Sequence, residues 1–104
     1  MTNEKITLYV GLNDQTTKKQ EVSTIEAYKI AQNIICKLCG GGTIYEATGI
    51  YTHENGEIVT EKTLRIELFA AAENKVRELI DYLKVALNQE SIIMQREVTN
   101  TVFM

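Results

Sequence analysis

The sequence contains no proline and no tryptophan, and it has only two cysteines and one histidine in 104 residues. Two cysteines are too few for a disulfide scaffold, which favours a cytoplasmic protein over a secreted one. No apolar run approaches the roughly 18 residues that a membrane-spanning helix needs. Residues 1–10 also lack the basic and long apolar segments of a signal peptide. We therefore expect no membrane partner.

The charge balance is mildly acidic, with 14 acidic against 11 basic residues and a net charge of −3. A chain with this balance attracts a phosphate backbone poorly, so we expect no nucleic-acid partner. The length allows one compact unit. We predict a single domain over residues 1–104, with its core at about residues 4–98 and a tail at residues 99–104.

Four segments have the alternating apolar pattern of strands. They are residues 5–12, 43–53, 58–69 and 91–98. The Asn55-Gly56 pair between the second and third strands favours a tight hairpin with a two-residue loop. Such a loop places Glu54 opposite Glu57 and Glu46 opposite Arg65.

Two segments have the three-and-four apolar spacing of helices. Ser23 and Glu26 form a capping box at the start of the first, which runs to about Leu38. The second covers about residues 73–87. The resulting βαββαβ order predicts an α+β, ferredoxin-like sandwich, with two helices on one face of a four-stranded antiparallel sheet. The expected strand order is 4-1-3-2.

The sheet face opposite the helices is where we expect a ligand to bind. Strand alternation places Tyr9, Thr63 and Arg65 on this face, and the hairpin register adds Glu46 and Thr48. The last strand should present Ile93, Gln95 and Glu97 there. Arginine binds carboxylate or phosphate through two parallel hydrogen bonds, and tyrosine offers a stacking surface. The alternative is a plain solvated face, since exposed cross-strand pairs stabilise a sheet only weakly.

A polar loop at residues 13–21 leads into the start of the first helix and carries Lys18 and Lys19. A helix start preceded by such a loop can bind an anion. A solvated loop is again the alternative. The candidate ligand-binding residues are therefore Tyr9, Lys18, Lys19, Glu46, Thr48, Thr63 and Arg65.

The remaining chemistry-bearing residues indicate no catalytic, metal or cofactor site. Cys36 and Cys39 form a CxxC pair at the end of a helix, whereas reactive pairs lie at a helix start. A zinc site would need two further ligands. His53 is the sole acid–base candidate near neutral pH, and it stands beside the hairpin turn.

Three segments carry a resemblance to a known group: ITLYVGLND, ATGIYTHENGEIVTEKTLRIEL and LNQESI. In these segments the chain resembles a group of small uncharacterised single-domain proteins of bacterial and prophage genomes. The resemblance implies the same ferredoxin-like pattern and a phage or mobile-element setting. It assigns no role to any residue.

Three functional hypotheses follow. The leading one is a non-enzymatic homo-oligomer that binds a small anionic ligand and needs no cofactor, because the polar face carries arginine and tyrosine. In a phage setting, that ligand would be a nucleotide immune signal sequestered against host defence. The second is a dimeric α+β-barrel enzyme acting through Tyr, His or Arg. The third is a protein-interaction module that docks Val102-Phe103-Met104 on a host partner or a second subunit.

Overall fold

The computed structural model describes residues 3–104, which form four strands and two helices in βαββαβ order. The strands are β1 (Asn3–Gly11), β2 (Thr43–Thr52), β3 (Ile58–Phe69) and β4 (Ile93–Thr99), and the helices are α1 (Thr24–Cys39) and α2 (Glu73–Ala86). The antiparallel strands lie in the order β2-β3-β1-β4. The predicted ferredoxin-like fold and strand order are confirmed.

Both ends of α1 follow the predicted local signals. The Ser23 side chain accepts a hydrogen bond from the Glu26 amide at 3.1 Å, which satisfies one free donor of the first turn. Gly40 ends the helix at φ 79°, a left-handed conformation that a glycine adopts at no steric cost. No side chain caps the start of α2 at Ala72.

The core lies between the two helices and the central strands β1 and β3. Its fully buried members on the strands are Ile6, Leu8, Val10, Leu64, Ile66 and Leu68, and those on the helices are Ala27, Ala31, Ile35, Val76, Leu79 and Leu83. Every buried strand residue in this set has an even number. The odd-numbered residues of β1 and β3 therefore point to the other side of the sheet, here called the open face.

The β2–β3 hairpin differs from its prediction by one residue. The His53 amide donates to the Glu57 carbonyl at 2.8 Å, and the Gly56 amide donates to the His53 carbonyl at 2.9 Å. The loop thus has three residues, with Gly56 at φ 87°. This geometry is a type I turn followed by a left-handed glycine, a common hairpin connection. It pairs Tyr45 with Arg65.

The shift reverses the two faces of β2, because the side chains of a strand alternate. Glu46 pairs with Leu64 and Thr48 with Lys62, so both lie on the helix side of the sheet. The prediction that Glu46 and Thr48 share the open face with Arg65 is wrong. Tyr45 lies on the open face instead.

The fourth strand has the predicted facing. β4 pairs with β1 so that Tyr9 lies opposite Ile93, Thr7 opposite Gln95, and Lys5 opposite Glu97. All of these side chains belong to the open face. Within residues 3–104, no helix is long and apolar enough to cross a bilayer.

Candidate functional site

The middle of the open face carries four interacting side chains, here called the charged cluster: Lys5, Tyr45, Arg65 and Glu67. Glu67 is 7% exposed although no helix covers it. Its Oε2 accepts from Lys5 Nζ at 2.9 Å and from Arg65 Nη2 at 3.2 Å, and its Oε1 accepts from the Tyr45 hydroxyl at 2.7 Å. One carboxylate therefore binds two cations and a phenol.

Tyrosine rings occupy the rest of the space around the Arg65 guanidinium. Its carbon lies 5.8 Å from the centre of the Tyr9 ring and 5.4 Å from the centre of the Tyr45 ring. Both distances are within the range of cation–π attraction. The group that was expected to bind an anion is thus already engaged by Glu67 and two aromatic rings.

Protonation equilibria within the charged cluster reinforce these contacts. Hydrogen bonds from Lys5 and then Tyr45 hold the pKa of Glu67 below its ordinary value. The hydrogen bond to Glu67 raises the pKa of Tyr45, and the same carboxylate raises the pKa of Lys5. Each shift favours the protonation state that keeps the cluster together at neutral pH.

A groove of about 570 Å³ lies at one end of the open face. Gly11, Gly49 and Thr63 line it, with Tyr9 of β1 on one flank of β3 and Tyr51 of β2 on the other, both on the open face. Glycines on both strands that flank β3 remove side chains that would fill this space. The groove is therefore a hollow in the sheet surface.

The Glu61 carboxylate lies directly against Gly11 in this groove. A Cβ atom at Gly11 would come within 2.6–2.7 Å of the carboxylate atoms, which is too close for a real contact. Glu61 Oε2 accepts a hydrogen bond from the Asn13 amide at 3.1 Å. The absent side chain at Gly11 is thus what allows Glu61 to lie over β1.

Two loops form the rim of the groove and determine its charge. The loop after β1 contributes Asp14 and Lys18, and the turn between α2 and β4 contributes Glu90. With Glu61, the lining has three carboxylates and one ammonium group. The carboxylates outnumber the ammonium group, so the field in this groove is negative.

The candidate residues fall into four places. Tyr9, Thr63 and Lys18 line the groove, and Arg65 lies beside Tyr9 in the charged cluster. Lys19 belongs to the loop after β1 but does not line the groove. Glu46 and Thr48 are on the helix side. A ligand-binding role for any of the seven stays a prediction.

Sequence reasoning missed the residues that shape the groove: Gly11, Asn13, Gly49, Glu61 and Gln89. Two of them carried a usable signal. A glycine inside a strand marks a bulge or a close approach, and here Gly11 and Gly49 both mark a close approach to the β3 side chains.

The other candidate chemistries have little support in the geometry. Burial raises the pKa of the Cys39 thiol, which makes the reactive thiolate scarcer. His53 contacts Tyr51 edge to face, with ring centres 5.5 Å apart. Within residues 3–104, no three His, Cys, Asp or Glu side chains form a metal-binding group.

Comparison with known proteins gives structural similarity alone. No protein-family model matches the chain, and no curated protein matches it. A phage SAM lyase in its apo state superposes with a TM-score of 0.73 at 21% identity, over 93% of this chain and 81% of the lyase. In complex with S-methyl-5'-thioadenosine, a phage SAM lyase gives 0.65 at 21% identity, over 91% and 80%.

A second kind of protein has the same architecture. The periplasmic divalent cation tolerance protein CutA from Archaeoglobus fulgidus superposes with a TM-score of 0.62 at 17% identity, over 99% of this chain and 88% of CutA. Identities this low establish the shared ferredoxin-like fold and nothing finer. Membership of the prophage group named above stays a prediction.

Proposed function

We propose that the groove binds a small cationic nucleoside, with S-adenosylmethionine as the candidate ligand. The observation that carries this proposal is the Glu61 carboxylate, held over Gly11 in a groove flanked by Tyr9 and Tyr51. S-adenosylmethionine combines a sulfonium cation with a flat purine ring. A carboxylate attracts the sulfonium cation, and the face of an aromatic ring can contact either the cation or the purine ring.

The similarity to the phage SAM lyase supports this choice of ligand class. That lyase binds S-methyl-5'-thioadenosine and superposes on nine-tenths of this chain. Because the likeness concerns the fold, the ligand assignment depends on the charge and shape of the groove. Both fit a cationic nucleoside.

An anionic ligand, which the sequence favoured, fits these surroundings less well. Arg65 is the cation expected to bind it, but Arg65 already contacts Glu67 and two tyrosine rings. Among residues 3–104, the groove lining has Lys18 as its one cation, against three carboxylates. A phosphate placed there would be repelled more than attracted.

A second candidate function is the cleavage of S-adenosylmethionine at the bond between sulfur and Cγ of its amino-acid part. S-methyl-5'-thioadenosine leaves as the neutral thioether with the bonding electrons, and the substrate's own carboxylate closes on Cγ to give a lactone. The bound nucleoside in the similar phage lyase favours it. Either function lowers the free S-adenosylmethionine of the host cell, which is consistent with the anti-defence role in a phage setting. Chromatography of the reaction mixture separates the two, because simple binding leaves S-adenosylmethionine intact.

Self-association is a further part of the proposal, and exposed apolar side chains support it. Ile50 and Ile58 lie on the helix side of the β2–β3 hairpin and are 71% and 74% exposed. Val98 on the edge strand β4 is 77% exposed. Ile50 and Ile58 lie together at one edge of the sheet and Val98 lies at the opposite edge, so each edge exposes apolar surface on which a second copy could pack. Light scattering should give a mass above the 11.8 kDa of one chain.

Isothermal titration with three ligands tests the proposed ligand class. S-adenosylmethionine should bind more tightly than S-adenosylhomocysteine, which has a neutral thioether in place of the sulfonium cation, and ATP should not bind. Glu61→Gln should weaken binding of S-adenosylmethionine about tenfold, or about 1.4 kcal/mol, because it removes the negative charge that attracts the sulfonium. The matched control is Glu46→Gln on the helix side, which should change nothing.

Two outcomes would contradict this assignment. Binding of ATP without binding of S-adenosylmethionine would restore the anionic-ligand hypothesis. Equal binding of S-adenosylmethionine and S-adenosylhomocysteine by both the wild type and Glu61→Gln would show that charge plays no part in recognition of the ligand.

A further inference from the structure

We infer that Gln89 is a positioning residue, which holds the Glu61 carboxylate at its place in the groove through the backbone of Asn13. This inference rests on the proposed function of the groove. It concerns residues from three separate segments: the loop after β1, the start of β3, and the turn between α2 and β4.

The contacts form a continuous path from Gln89 to Glu61. Gln89 is 9% exposed, and its Nε2 donates to the Asn13 carbonyl at 2.8 Å and to the Leu87 carbonyl at 3.2 Å. The amide of the same residue, Asn13, donates to Glu61 Oε2 at 3.1 Å. The backbone of Asn13 thus accepts a hydrogen bond from Gln89 and donates one to Glu61.

Neighbouring contacts of the turn fix other parts of the loop. Asn88 Nδ2 donates to Asp14 Oδ1 at 2.9 Å, and the Asn88 carbonyl accepts from the Gln15 amide at 3.0 Å. These bonds hold the loop beyond Asn13. Gln89 is the residue of this turn whose side chain reaches Asn13 itself.

Buried polar contacts explain why Gln89 would matter for binding. A glutamate side chain has three rotatable bonds, and its free carboxylate would sample several positions. The Asn13 amide selects the position over Gly11, and Gln89 keeps that amide in place. A carboxylate that is ordered before the ligand arrives binds with a smaller entropy cost.

Hydrogen exchange tests the contact without any ligand. In Gln89→Met, which keeps the side-chain length but removes the donor, the Asn13 amide should exchange about fivefold faster, as expected for one lost hydrogen bond. Gln15→Met is the matched control, because the Gln15 side chain donates to Asn88 and leaves the Asn13 carbonyl bonded. If Gln89→Met does not fold, Gln89→Asn replaces it with an amide one methylene too short. Unchanged exchange at Asn13 would overturn the inference.

Titration with S-adenosylmethionine tests the positioning role itself. Gln89→Met should weaken binding about fivefold in the wild-type background. It should have no effect in a Glu61→Ala background, where no carboxylate remains to be positioned. Equal losses in the two backgrounds would mean that Gln89 affects binding independently of Glu61, either through the structure or by touching the ligand, and would overturn the inference. If wild-type protein binds no S-adenosylmethionine, the proposed function fails, and the exchange rate of Asn13 still decides whether Gln89 controls that amide.

Discussion

The charged cluster and the groove occupy neighbouring parts of one sheet face, yet they use their charges in different ways. Every charged group of the charged cluster already has an opposite charge beside it, because Glu67 contacts both Lys5 and Arg65. In the groove, Glu61 receives a single backbone hydrogen bond from Asn13 and borders open space. The cluster can stabilise the sheet, whereas the groove retains capacity for a ligand.

The difference shows that the density of charged residues is a poor guide to a binding site. Arg65 looks like a ligand-binding residue in the sequence, but it already contacts Glu67 and the rings of Tyr9 and Tyr45. Gly11 has no side chain, and this absence leaves the space that the Glu61 carboxylate occupies. What distinguishes a site is unused hydrogen-bonding and electrostatic capacity next to a hollow.

The largest expected effect comes from removing the centre of the charged cluster. Glu67→Ala deprives Lys5, Arg65 and Tyr45 of their shared acceptor, so it should lower the free energy of unfolding by about 1–3 kcal/mol. Urea denaturation measures the change. Glu97→Ala, an exposed carboxylate opposite Lys5 on the same face, is the control and should change stability by less than about 0.5 kcal/mol.

Ligand binding in the same variants tests the division of the open face. A folded Glu67→Ala protein should bind S-adenosylmethionine with nearly wild-type affinity. Loss of binding without loss of folding would place the charged cluster inside the site and would abolish the distinction between the two regions.

The next largest effect is expected in the groove, from Gly11→Ala. The new methyl group would lie within 2.7 Å of the Glu61 carboxylate carbon, so the carboxylate must move. Because Glu61 is flexible, the protein should remain nearly as stable, while affinity for S-adenosylmethionine should fall about tenfold, or about 1.4 kcal/mol. Calorimetric titration and urea denaturation together separate the two effects.

Gly41→Ala provides the control for this substitution. A Cβ atom added at Gly41 would meet no other atom within 4 Å, and the φ of Gly41 lies outside the left-handed region. The same chemical change therefore meets no obstacle there. A Gly11→Ala protein that binds like Gly41→Ala would show that the position of Glu61 is unimportant.

The elements of the fold were predictable because their signals are local. Ser23 and Gly40 mark the ends of the first helix within the sequence itself, and alternation identifies the central strands. The second helix was expected at about residues 73–87 and is found at Glu73–Ala86. Each of these signals depends on a few neighbouring residues, and the packing of the core favours the same elements.

The hairpin register was not predictable from Asn55-Gly56 alone. The same pair fits a two-residue loop and a three-residue loop with a left-handed glycine. The structure has the second, which brings the Tyr45 hydroxyl to Glu67 on β3. That contact joins residues 22 apart, so the local turn sequence carries no information about it.

The groove is even less predictable from local sequence patterns than the hairpin register. Gln89 and Asn13 are 76 residues apart, and Asn13 and Glu61 are 48 apart. Their meeting depends on the strand order and on the conformation of two loops. Tyr9 and Thr63 were placed on the open face correctly because strand alternation fixes their face, whereas Glu61 was missed because nothing local separates it from other glutamates.

The ionisation of Glu67 in the charged cluster should make the free energy of unfolding depend on pH, and this effect should be of intermediate size. Its hydrogen bonds with Lys5 and Tyr45 hold its pKa below the ordinary value. The unfolded chain therefore takes up the proton first, and the stabilisation is complete above the unfolded pKa and lost as the pH falls through about 4 and below. Asp14 and Glu73 have lowered pKa values as well, so wild-type stability should fall for several reasons.

Comparison with Glu67→Gln isolates the contribution of this one carboxylate. The wild type should be more stable than Glu67→Gln near neutral pH, and the difference should shrink as the pH is lowered, because only the wild type can lose a charge there. Urea denaturation at a series of pH values measures both proteins. A difference that stays constant with pH would contradict the contacts of Glu67 with Lys5 and Tyr45.

The smallest expected effect concerns two adjacent lysines, and its sign distinguishes the two ligand classes. Lys18 lines the acidic groove at φ 63°, a left-handed conformation that asparagine tolerates, so Lys18→Asn removes the charge without backbone strain. Lys19→Asn removes an equal charge outside the groove. If the ligand is a cation, Lys18→Asn should strengthen binding of S-adenosylmethionine about twofold, because a single exposed charge contributes little. Lys19→Asn should leave it unchanged. Weaker binding in Lys18→Asn would mean that the lysine attracts the ligand, which would indicate an anionic ligand.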